Sequence, residues 1–272
     1  MTTIDIEALC AVLRDAAKAE VVPRFRHLDD DMIKVKSEAI DLVTVADQAS
    51  EKFIAERVGS LWPDAVFIGE ESVAADPGVL SRLDDADLAV VVDPIDGTAN
   101  YAAGLPLFAV MAAVVSRGET VAGIIYDPMG DDWMLAEKGG GAFLRFPDGK
   151  QQKLRVSPPL PLDQMVGTAS IAYIGASRGR ILTNLDKVRV VANYRCAGHD
   201  YRLFASGHTQ FAMFNKLNPW DHLAGALICG EAGAYLRRFD GSVYQPHHRE
   251  GGLLITTDRD SWDILRREVF DL

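Results

Sequence analysis

Apolar residues recur at helical spacing at the start of the chain, and short apolar runs follow them. The spacing over residues 4–27 predicts a first helix that ends near Pro23. A second helix is predicted to begin near Thr44, antiparallel to the first, because apolar positions there alternate with charges on the opposite face. Apolar runs bounded by turn residues predict strands at 65–69, 88–92, 107–116, 120–126 and 133–136. This part of the chain is therefore expected to form a helix pair and a partly antiparallel sheet.

The pattern changes after the glycine turn at 139–141, where helical and strand-like segments begin to alternate. They predict a strand at 165–170, a helix at 175–186, a strand at 188–192, a helix at 198–206, a strand at 210–214 and a helix at 220–233. Asn218 and Pro219 open the last helix, since proline suits the first helical turn. We therefore expect two subdomains with a boundary near 145–155: an N-terminal α+β unit, residues 1–150, and a C-terminal α/β unit, residues 151–272.

Composition restricts the class of protein. The 272 residues are 48% hydrophobic with a mean hydropathy of +0.03, which suits one large globular domain or two closely packed subdomains. No apolar run approaches the roughly 18–20 residues that span a bilayer. The N-terminal residues lack the basic and apolar regions of a secretory signal, and the three cysteines form no CxxC pair. A cytoplasmic protein without membrane association, disulfide framework or thiolate zinc site is expected.

The net charge of −11 also restricts the ligands. It argues against nucleic-acid binding and would repel an anionic substrate. If the substrate is a phosphate ester, bound cations must therefore reverse the local field.

Two carboxylates at the end of an apolar run are the first candidates for chemistry. Asp93 and Asp96 follow the run 88–92, and Pro94 and Gly97 force a turn between and after them. Carboxylates in a tight, partly buried turn repel each other, and a hard divalent cation with oxygen ligands would relieve that repulsion. The same residues are also typical of an ordinary turn, in which they serve only local hydrogen bonding.

Three further acidic elements have similar settings. Glu70 and Glu71 follow a short apolar strand, where one can bind metal while the other accepts from an ammonium group. Asp221 lies near the start of the last predicted helix, and Thr44 and Asp47 lie one helical turn apart. Taken singly, these are more typical of a solvated turn, a helix cap, and an N-cap with a surface acid.

The four elements together resemble the inositol monophosphatase family in order and spacing, across nearly the whole chain. The residues that carry the resemblance are Asp41-Leu-Val-Thr44 with Asp47 and Glu51, Gly69-Glu-Glu-Ser72, Asp93-Pro-Ile-Asp-Gly-Thr-Ala-Asn-Tyr101, and Trp220-Asp221 with Ala224-Gly-Ala226. The resemblance implies a layered αβαβα sandwich of the inositol monophosphatase and fructose-1,6-bisphosphatase type, of mixed α+β and α/β class. It also implies a homodimer.

The resemblance further implies a magnesium site with two or three ions. Glu70, Asp93 and the Ile95 carbonyl would hold one Mg²⁺, while Asp93, Asp96 and Asp221 would hold a second, so that Asp93 bridges them. Glu70 would reach a weaker third ion through water. Mn²⁺ is expected to substitute, and Li⁺ and Ca²⁺ to inhibit.

The implied activity is hydrolysis of a small phosphate monoester, of a polyol, a sugar or an amino alcohol. The implied catalytic residues are Glu70, Thr98, which orients the attacking water, and Asp47 behind it. Phosphoryl transfer depends mainly on positioning and charge stabilisation, which bound metal ions can supply. The implied substrate contacts are Asp96, Gly97, Thr98, His199, Asp200 and Asp221, with the amides of Gly97 and Thr98 around the phosphate.

The substrate-facing residues depart from the family pattern. The family has small residues where this chain has His199-Asp-Tyr201, and inositol-preferring members have a glutamate where it has Phe214. A phenyl ring cannot replace a carboxylate that binds polyol hydroxyls. His199 and Asp200 either contact the substrate or form a buried polar pair. The alternatives are therefore a sibling activity, such as a histidinol-phosphate, fructose-1,6-bis- or nucleotide 3′-phosphatase, or a non-catalytic regulator associated with RNA polymerase.

Overall fold

The computed structural model describes residues 4–36, 42–171 and 177–270, and the expected layered sandwich is confirmed. Asp41 of the first motif and residues 175–176 of a predicted helix lie outside the described residues. The α-helices, in chain order, are α1 (Ile6–Ala16), α2 (Val45–Leu61), α3 (Glu70–Ala75), α4 (Gly78–Asp85), α5 (Thr98–Ala102), α6 (Arg178–Asn184), α7 (Ala197–Ala205), α8 (Pro219–Glu231) and α9 (Arg259–Leu265).

The strands form a small antiparallel pair and two larger sheets. The pair is β1 (Ile33–Val35) with β2 (Leu42–Thr44). The seven-stranded sheet has its strands in chain order and is antiparallel except between its first two strands: β3 (Val66–Gly69), β4 (Leu88–Asp96), β5 (Ala109–Ser116), β6 (Glu119–Asp127), β7 (Asp132–Glu137), β8 (Gly141–Arg145) and β9 (Gln151–Lys153). The five-stranded sheet has the order β11-β10-β12-β14-β13, from β10 (Val166–Ala169), β11 (Val190–Ala192), β12 (Phe211–Phe214), β13 (Tyr235–Arg238) and β14 (Leu253–Thr256).

The central strand β4 shows how the layers arise from its sequence. Val90 and Val92 pack against the core under α1 and α2, whereas Ala89 and Val91 belong to the core on the other face. Successive side chains of a strand point to opposite faces, so a strand covered on both faces is apolar at every position. This double burial explains the uninterrupted apolar run that ends in Asp93.

Helices α6 to α9 and the five-stranded sheet form the remaining layers. Helices α7 and α8 contribute Phe204 and Leu223 to a core shared by both sheets. The outer face of the five-stranded sheet is covered by α6 and α9, through Ile181 and Trp262. The order of layers is therefore helix pair, seven-stranded sheet, helix pair, five-stranded sheet, helix pair.

Two glycines fix the position of α8. A Cβ atom on Gly123 of β6 would lie 2.7 Å from the carbonyl oxygen of Ala224, and one on Gly225 would lie 2.1 Å from the ring of Tyr201. Both distances are far below van der Waals contact, so only glycine allows α8 to approach β6 and α7 this closely. The N-terminal turn of α8, which carries Asp221, is thereby placed next to the end of β4.

The predicted elements correspond to observed ones, with differences at their ends. The first helical segment ends at Arg24, close to the predicted end near Pro23, because α1 continues as a π-helical turn (Ala17–Val21) and a 3₁₀ turn (Val22–Arg24). The chain passes from one large sheet to the other between Lys153 and Val166. The division into two subdomains after residue 150 stays a prediction. Among the described residues, none of the helices combines the length and apolar character that crossing a bilayer requires.

Candidate active site

Strand β4 ends in an irregular turn that holds Asp93 and Asp96. Its pairing with β5 shifts register between these residues, and Asp93 Oδ1 accepts a hydrogen bond of 3.0 Å from the amide of Ile95. Gly97 has a φ of +86°, and a Cβ atom there would lie 2.9 Å from the Leu107 carbonyl oxygen. The turn therefore needs glycine for both its backbone conformation and its close packing.

Asp96 is anchored to the start of α7. Its carboxylate accepts hydrogen bonds from the amides of Ala197 and Gly198 and from the thiol of Cys196, whose Sγ lies 3.0 Å from Oδ2. A Cβ atom on Gly198 would lie 3.0 Å from the same oxygen. The role of Cys196 was not predicted, since no local pattern marks a cysteine that contacts a residue about 100 positions away.

Asp221 lies in the first turn of α8, where Asn218 donates a hydrogen bond of 3.0 Å to its Oδ2 atom. Asp93, Asp96 and Asp221 each offer one carboxylate oxygen, and these oxygens lie within 4.8 Å of one another. We refer to these three residues as the aspartate cluster. The turn after β4 and the start of α8, which are remote in sequence, thus meet at one point.

The electrostatics of the aspartate cluster favour a bound cation. Burial, followed by the charges of Glu70 and Asp96, raises the pKa of Asp93 well above its usual range. Burial and the charge of Glu70 raise the pKa of Asp221 to about 8, and burial also raises the pKa of Asp96. Carboxylates at this separation must share protons or neutralise their charge with a cation. An all-oxygen donor set suits a hard divalent ion such as Mg²⁺.

Glu70 lines the same cleft but lies outside the aspartate cluster. It is the first residue of α3, and Lys36 Nζ lies 2.8 Å from its Oε1 atom. Lys36 also contacts Glu71, so both adjacent glutamates accept from one ammonium group. The sequence had predicted that only one of the two would do so. Burial raises the pKa values of Glu70 and Glu71 to about 7. A metal ion that binds Glu70 would have to share it with Lys36.

Glu51 has a structural role beside this group. Its buried carboxylate accepts hydrogen bonds from the amides of Glu71 at 2.7 Å and Ser72 at 2.8 Å, and from the Ser72 hydroxyl. These amides belong to the first turn of α3 and have no partner within the helix. Glu51 therefore caps α3 and fixes the position of Glu70.

Asp47 connects two threonines. Its Oδ2 atom accepts from the amide and hydroxyl of Thr44 at 2.8 and 2.6 Å, which completes a capping box at the start of α2. Its Oδ1 atom lies 3.0 Å from the Thr98 hydroxyl, which also lies 2.9 Å from the Ile95 carbonyl oxygen. The Thr98 proton thus points towards these two acceptors, and the oxygen's lone pairs are left for a further ligand.

The aspartate cluster, Glu70 and Thr98 line a cleft of about 640 Å³. Asp200, Phe214 and Trp220 also line this cleft, as do Ile95 and Gly97. Phe214, at the end of β12, stacks on Tyr201 with 4.8 Å between ring centroids.

His199 is the one predicted substrate contact that the structure does not bring to this cleft. Its Nε2 atom lies 3.3 Å from the carbonyl oxygen of Phe108, whereas the neighbouring Asp200 lines the cleft. Among the described residues, no hydrogen bond joins His199 and Asp200, so the buried polar pair suggested from the sequence is not observed. Successive residues of a helix point about 100° apart, so two adjacent side chains seldom face the same ligand.

A sequence model of the inositol monophosphatase family matches residues 2–267. The chain belongs to this family. As a member of the inositol monophosphatase family it is a phosphatase, which agrees with a cleft lined by clustered carboxylates.

The relatives that match most of the chain include an inositol-1-monophosphatase and a protein named as a Nus factor. The inositol-1-monophosphatase of Caulobacter vibrioides is 33% identical over 76% of this chain and 79% of its own. The Nus factor SuhB of Pasteurella multocida is 31% identical over 94% of this chain and 93% of its own. The IMPase of Thermotoga maritima superposes with a TM-score of 0.81 over 98% of this chain and 95% of its own, at 23% identity, and shows the same fold.

Proposed function

We propose that this protein is a Mg²⁺-dependent phosphomonoesterase that hydrolyses a small phosphate ester of a polyol, a sugar or an amino alcohol. The observation that carries the proposal is the aspartate cluster, whose oxygens lie within 4.8 Å of one another on the wall of a cleft of about 640 Å³. A cleft of this size accommodates a small organic phosphate.

The residues fit a site for two magnesium ions. Asp93, Asp96 and Asp221 would hold one ion, and Glu70 with the Ile95 carbonyl and Asp93 would hold the other. Bound Mg²⁺ supplies positive charge for the phosphoryl oxygens and favours ionisation of water near pH 7. This charge explains how a protein with a net charge of −11 can bind an anion. A third ion near Glu70 and substitution by Mn²⁺ belong to the same proposal.

Thr98 and Asp47 are proposed to orient the attacking water. Asp47 is fully buried and held by Thr44, so its position is defined before substrate binds. With the Thr98 proton directed to Asp47 or to the Ile95 carbonyl, the Thr98 oxygen can accept a hydrogen bond from water in the cleft. The amides of Gly97 and Thr98, at the start of α5, are proposed to contact the phosphate.

The Thr98→Val substitution tests this role. It removes the hydroxyl at nearly constant volume, and we expect kcat to fall by roughly 10²-fold or more, with KM changed little, because positioned proton acceptors contribute about 10²–10⁴-fold. Thr98→Ser keeps the hydroxyl and is the matched control, which we expect to retain most activity. Steady-state phosphate release measures both; equal losses in the two variants would exclude the hydroxyl as the orienting group.

The function itself is tested by phosphate release from a panel of esters with Mg²⁺ and with EDTA. Inositol phosphates, sugar phosphates, histidinol phosphate and 3′-nucleotides cover the family's sibling activities. We expect hydrolysis of at least one ester that EDTA abolishes and Mg²⁺ restores. Relatives named Nus factor make a non-catalytic regulator the competing function, and absence of Mg²⁺-dependent hydrolysis for every ester would favour it.

The oligomeric state, the cellular location and the inhibiting ions remain part of the proposal. A homodimer, a cytoplasmic location, and inhibition by Li⁺ and Ca²⁺ are expected from the family. Sedimentation of the purified protein and Li⁺ titration of its activity test the first and third of these.

A further inference from the structure

A buried hydrogen bond joins the two helices that lie between the large sheets. The Tyr201 hydroxyl on α7 lies 2.9 Å from Nδ1 of His222 on α8. Tyr201 is fully buried and His222 is 3% exposed, so water does not compete for this bond. His222 lines the cleft, whereas Tyr201 is not among the residues that line it. A change at Tyr201 can therefore act on the site only through other residues.

The direction of this bond follows from a second contact of the imidazole. Burial lowers the pKa of His222 to about 3, so the ring is neutral, and a hydrogen bond with the backbone of Lys216 acts in the opposite direction. A bond that favours the protonated ring is one in which the ring donates, so its single N–H is directed to Lys216. Nδ1 is then the acceptor and the Tyr201 hydroxyl is the donor.

The surrounding packing fixes Tyr201 against α8. Its ring stacks on Phe214 with 4.8 Å between centroids, and Phe214 also contacts the imidazole, with centroids 4.9 Å apart. A Cβ atom on Gly225, one helical turn after His222, would lie 2.1 Å from the Tyr201 ring. The ring thus fills the space that the missing side chain leaves on α8. We refer to Tyr201, Phe214, His222 and Gly225 as the helix seam.

Both sides of the helix seam lie next to the aspartate cluster. The amides at the start of α7, which hold Asp96, lie one helical turn before Tyr201. Asp221 directly precedes His222 in α8. The relative position of α7 and α8 therefore sets the distance between the carboxylates of Asp96 and Asp221.

Among the described residues, no hydrogen bond joins Asp221 to Asp96 or to α7. Its side chain is hydrogen-bonded to Asn218, in its own turn, and to Asp93 at the end of β4. Two carboxylates this close repel each other when no cation lies between them. A contact between the two helices is therefore needed to hold them at a separation that one ion can bridge.

We propose that Tyr201 and His222 are positioning residues, whose hydrogen bond holds Asp221 at the distance from Asp96 that one Mg²⁺ requires. Neither residue binds the ion, because the pair acts by fixing α8 against α7. This inference rests on the proposed metal site and adds to it two residues that no acidic motif indicates. Phe214 belongs to the same arrangement, since its ring packs on both residues.

The Tyr201→Phe substitution tests the inference by removing one hydroxyl from a fully buried ring. We expect the dissociation constant for Mg²⁺ to rise by about 3- to 10-fold, less than the roughly 10- to 100-fold for partners bonded directly to a metal ligand, because the pair acts through the helix. The rise in melting temperature with MgCl₂ concentration gives this constant without any substrate. In EDTA the melting temperature should fall by roughly 2–5 °C, because one buried hydrogen bond is lost.

Tyr126→Phe is the matched control. Tyr126 is also fully buried in the core under α1 and α2, and its hydroxyl lies 2.8 Å from Asp131 Oδ1. The substitution should lower the melting temperature in EDTA by a similar amount and leave the dissociation constant for Mg²⁺ unchanged. The comparison separates stability from metal affinity, since only a positioning residue alters the second.

A double substitution tests the bond itself. His222→Leu removes the acceptor and should raise the dissociation constant for Mg²⁺ at least as much as Tyr201→Phe does. If the effect of Tyr201 passes through His222, adding Tyr201→Phe to the His222→Leu protein should raise the constant by less than about twofold further. Full additivity of the two effects would show that the residues act independently and would contradict the inference.

The outcomes distinguish this inference from the proposed function. An unchanged dissociation constant for Mg²⁺ in the Tyr201→Phe protein would show a structural role only and refute the inference, while the metal site would stand. An equal increase in the Tyr126→Phe protein would refute it as well. If Mg²⁺ does not raise the melting temperature of the unaltered protein, the proposed metal site and this inference are both wrong.

Discussion

The Asp93→Asn protein is expected to lose Mg²⁺-dependent phosphate release and, in EDTA, to melt at a higher temperature than the unaltered protein. Loss of a residue that only orients a metal ligand lowers activity by about 10- to 100-fold. We expect a loss of at least about 100-fold here, because Asp93 is proposed as a direct ligand of both ions. Asparagine can still accept the hydrogen bond from Ile95, so the turn after β4 should persist.

The rise in melting temperature has an electrostatic cause. Asp93 is 1% exposed and is surrounded by the charges of Glu70, Asp96 and Asp221, all of which raise its pKa. Removing one carboxylate relieves this repulsion in the metal-free protein, and about 1 kcal/mol corresponds to roughly 2–4 °C for a chain of this size. Calorimetry in EDTA measures the shift.

An exposed carboxylate provides the control for the Asp93→Asn experiment. Asp163→Asn removes the same charge at an exposed position and should change neither activity nor melting temperature. If the Asp93→Asn protein kept near-normal activity, the assigned metal site would be wrong. If it lost activity and melted at a lower temperature in EDTA, Asp93 would be needed for folding rather than for binding metal.

The second large effect is a loss of metal-free stability as the pH rises from 5 to 8. The pKa values of Glu70 and Glu71 are raised to about 7 and that of Asp221 to about 8, each chiefly by burial. In the unfolded chain these groups titrate near 4. Between about pH 4 and pH 8 these three groups therefore bind more protons in the folded protein than in the unfolded chain, so the stability that they contribute decreases as pH increases.

Mg²⁺ should oppose this loss. Metal binding requires the deprotonated carboxylates, so its stabilising effect grows with pH. In EDTA we expect the melting temperature to fall by at least roughly 5 °C from pH 5 to pH 8, and millimolar Mg²⁺ to restore most of it at pH 8 but little at pH 5. NaCl at equal ionic strength is the control for screening. A melting temperature in EDTA that is constant or rises over this range would contradict the raised pKa values.

Long-range pairing limited what the sequence could predict of the fold. The apolar run before Asp93 predicted a buried strand, because double burial requires apolar residues at every position. In contrast, β13 and β14 were not predicted. Strand β14 inserts between β12 and β13, and its partners Phe211–Phe214 lie about 40 residues earlier in the chain. The spacing of apolar residues within one segment does not indicate which distant strand will pair with it.

The same distinction applies to the site. Asp93 and Asp96 were marked by Pro94 and Gly97, because a tight turn after a strand demands those residue types. The contact of Cys196 with Asp96 had no such signal. His199 and Asp200 could not be separated either, since the direction of each depends on how α7 packs against the sheets rather than on its own sequence.

Local chemistry and the family motifs were therefore enough to predict the acidic turn at the end of β4, the cap of α2 at Thr44 and Asp47, and a phosphatase of this family. Only the tertiary structure brought a carboxylate oxygen of Asp221 within 4.8 Å of those of the other two aspartates and turned His199 away from the cleft. The reason is physical: turns and caps depend on neighbouring residues, whereas a cleft depends on how separate elements pack.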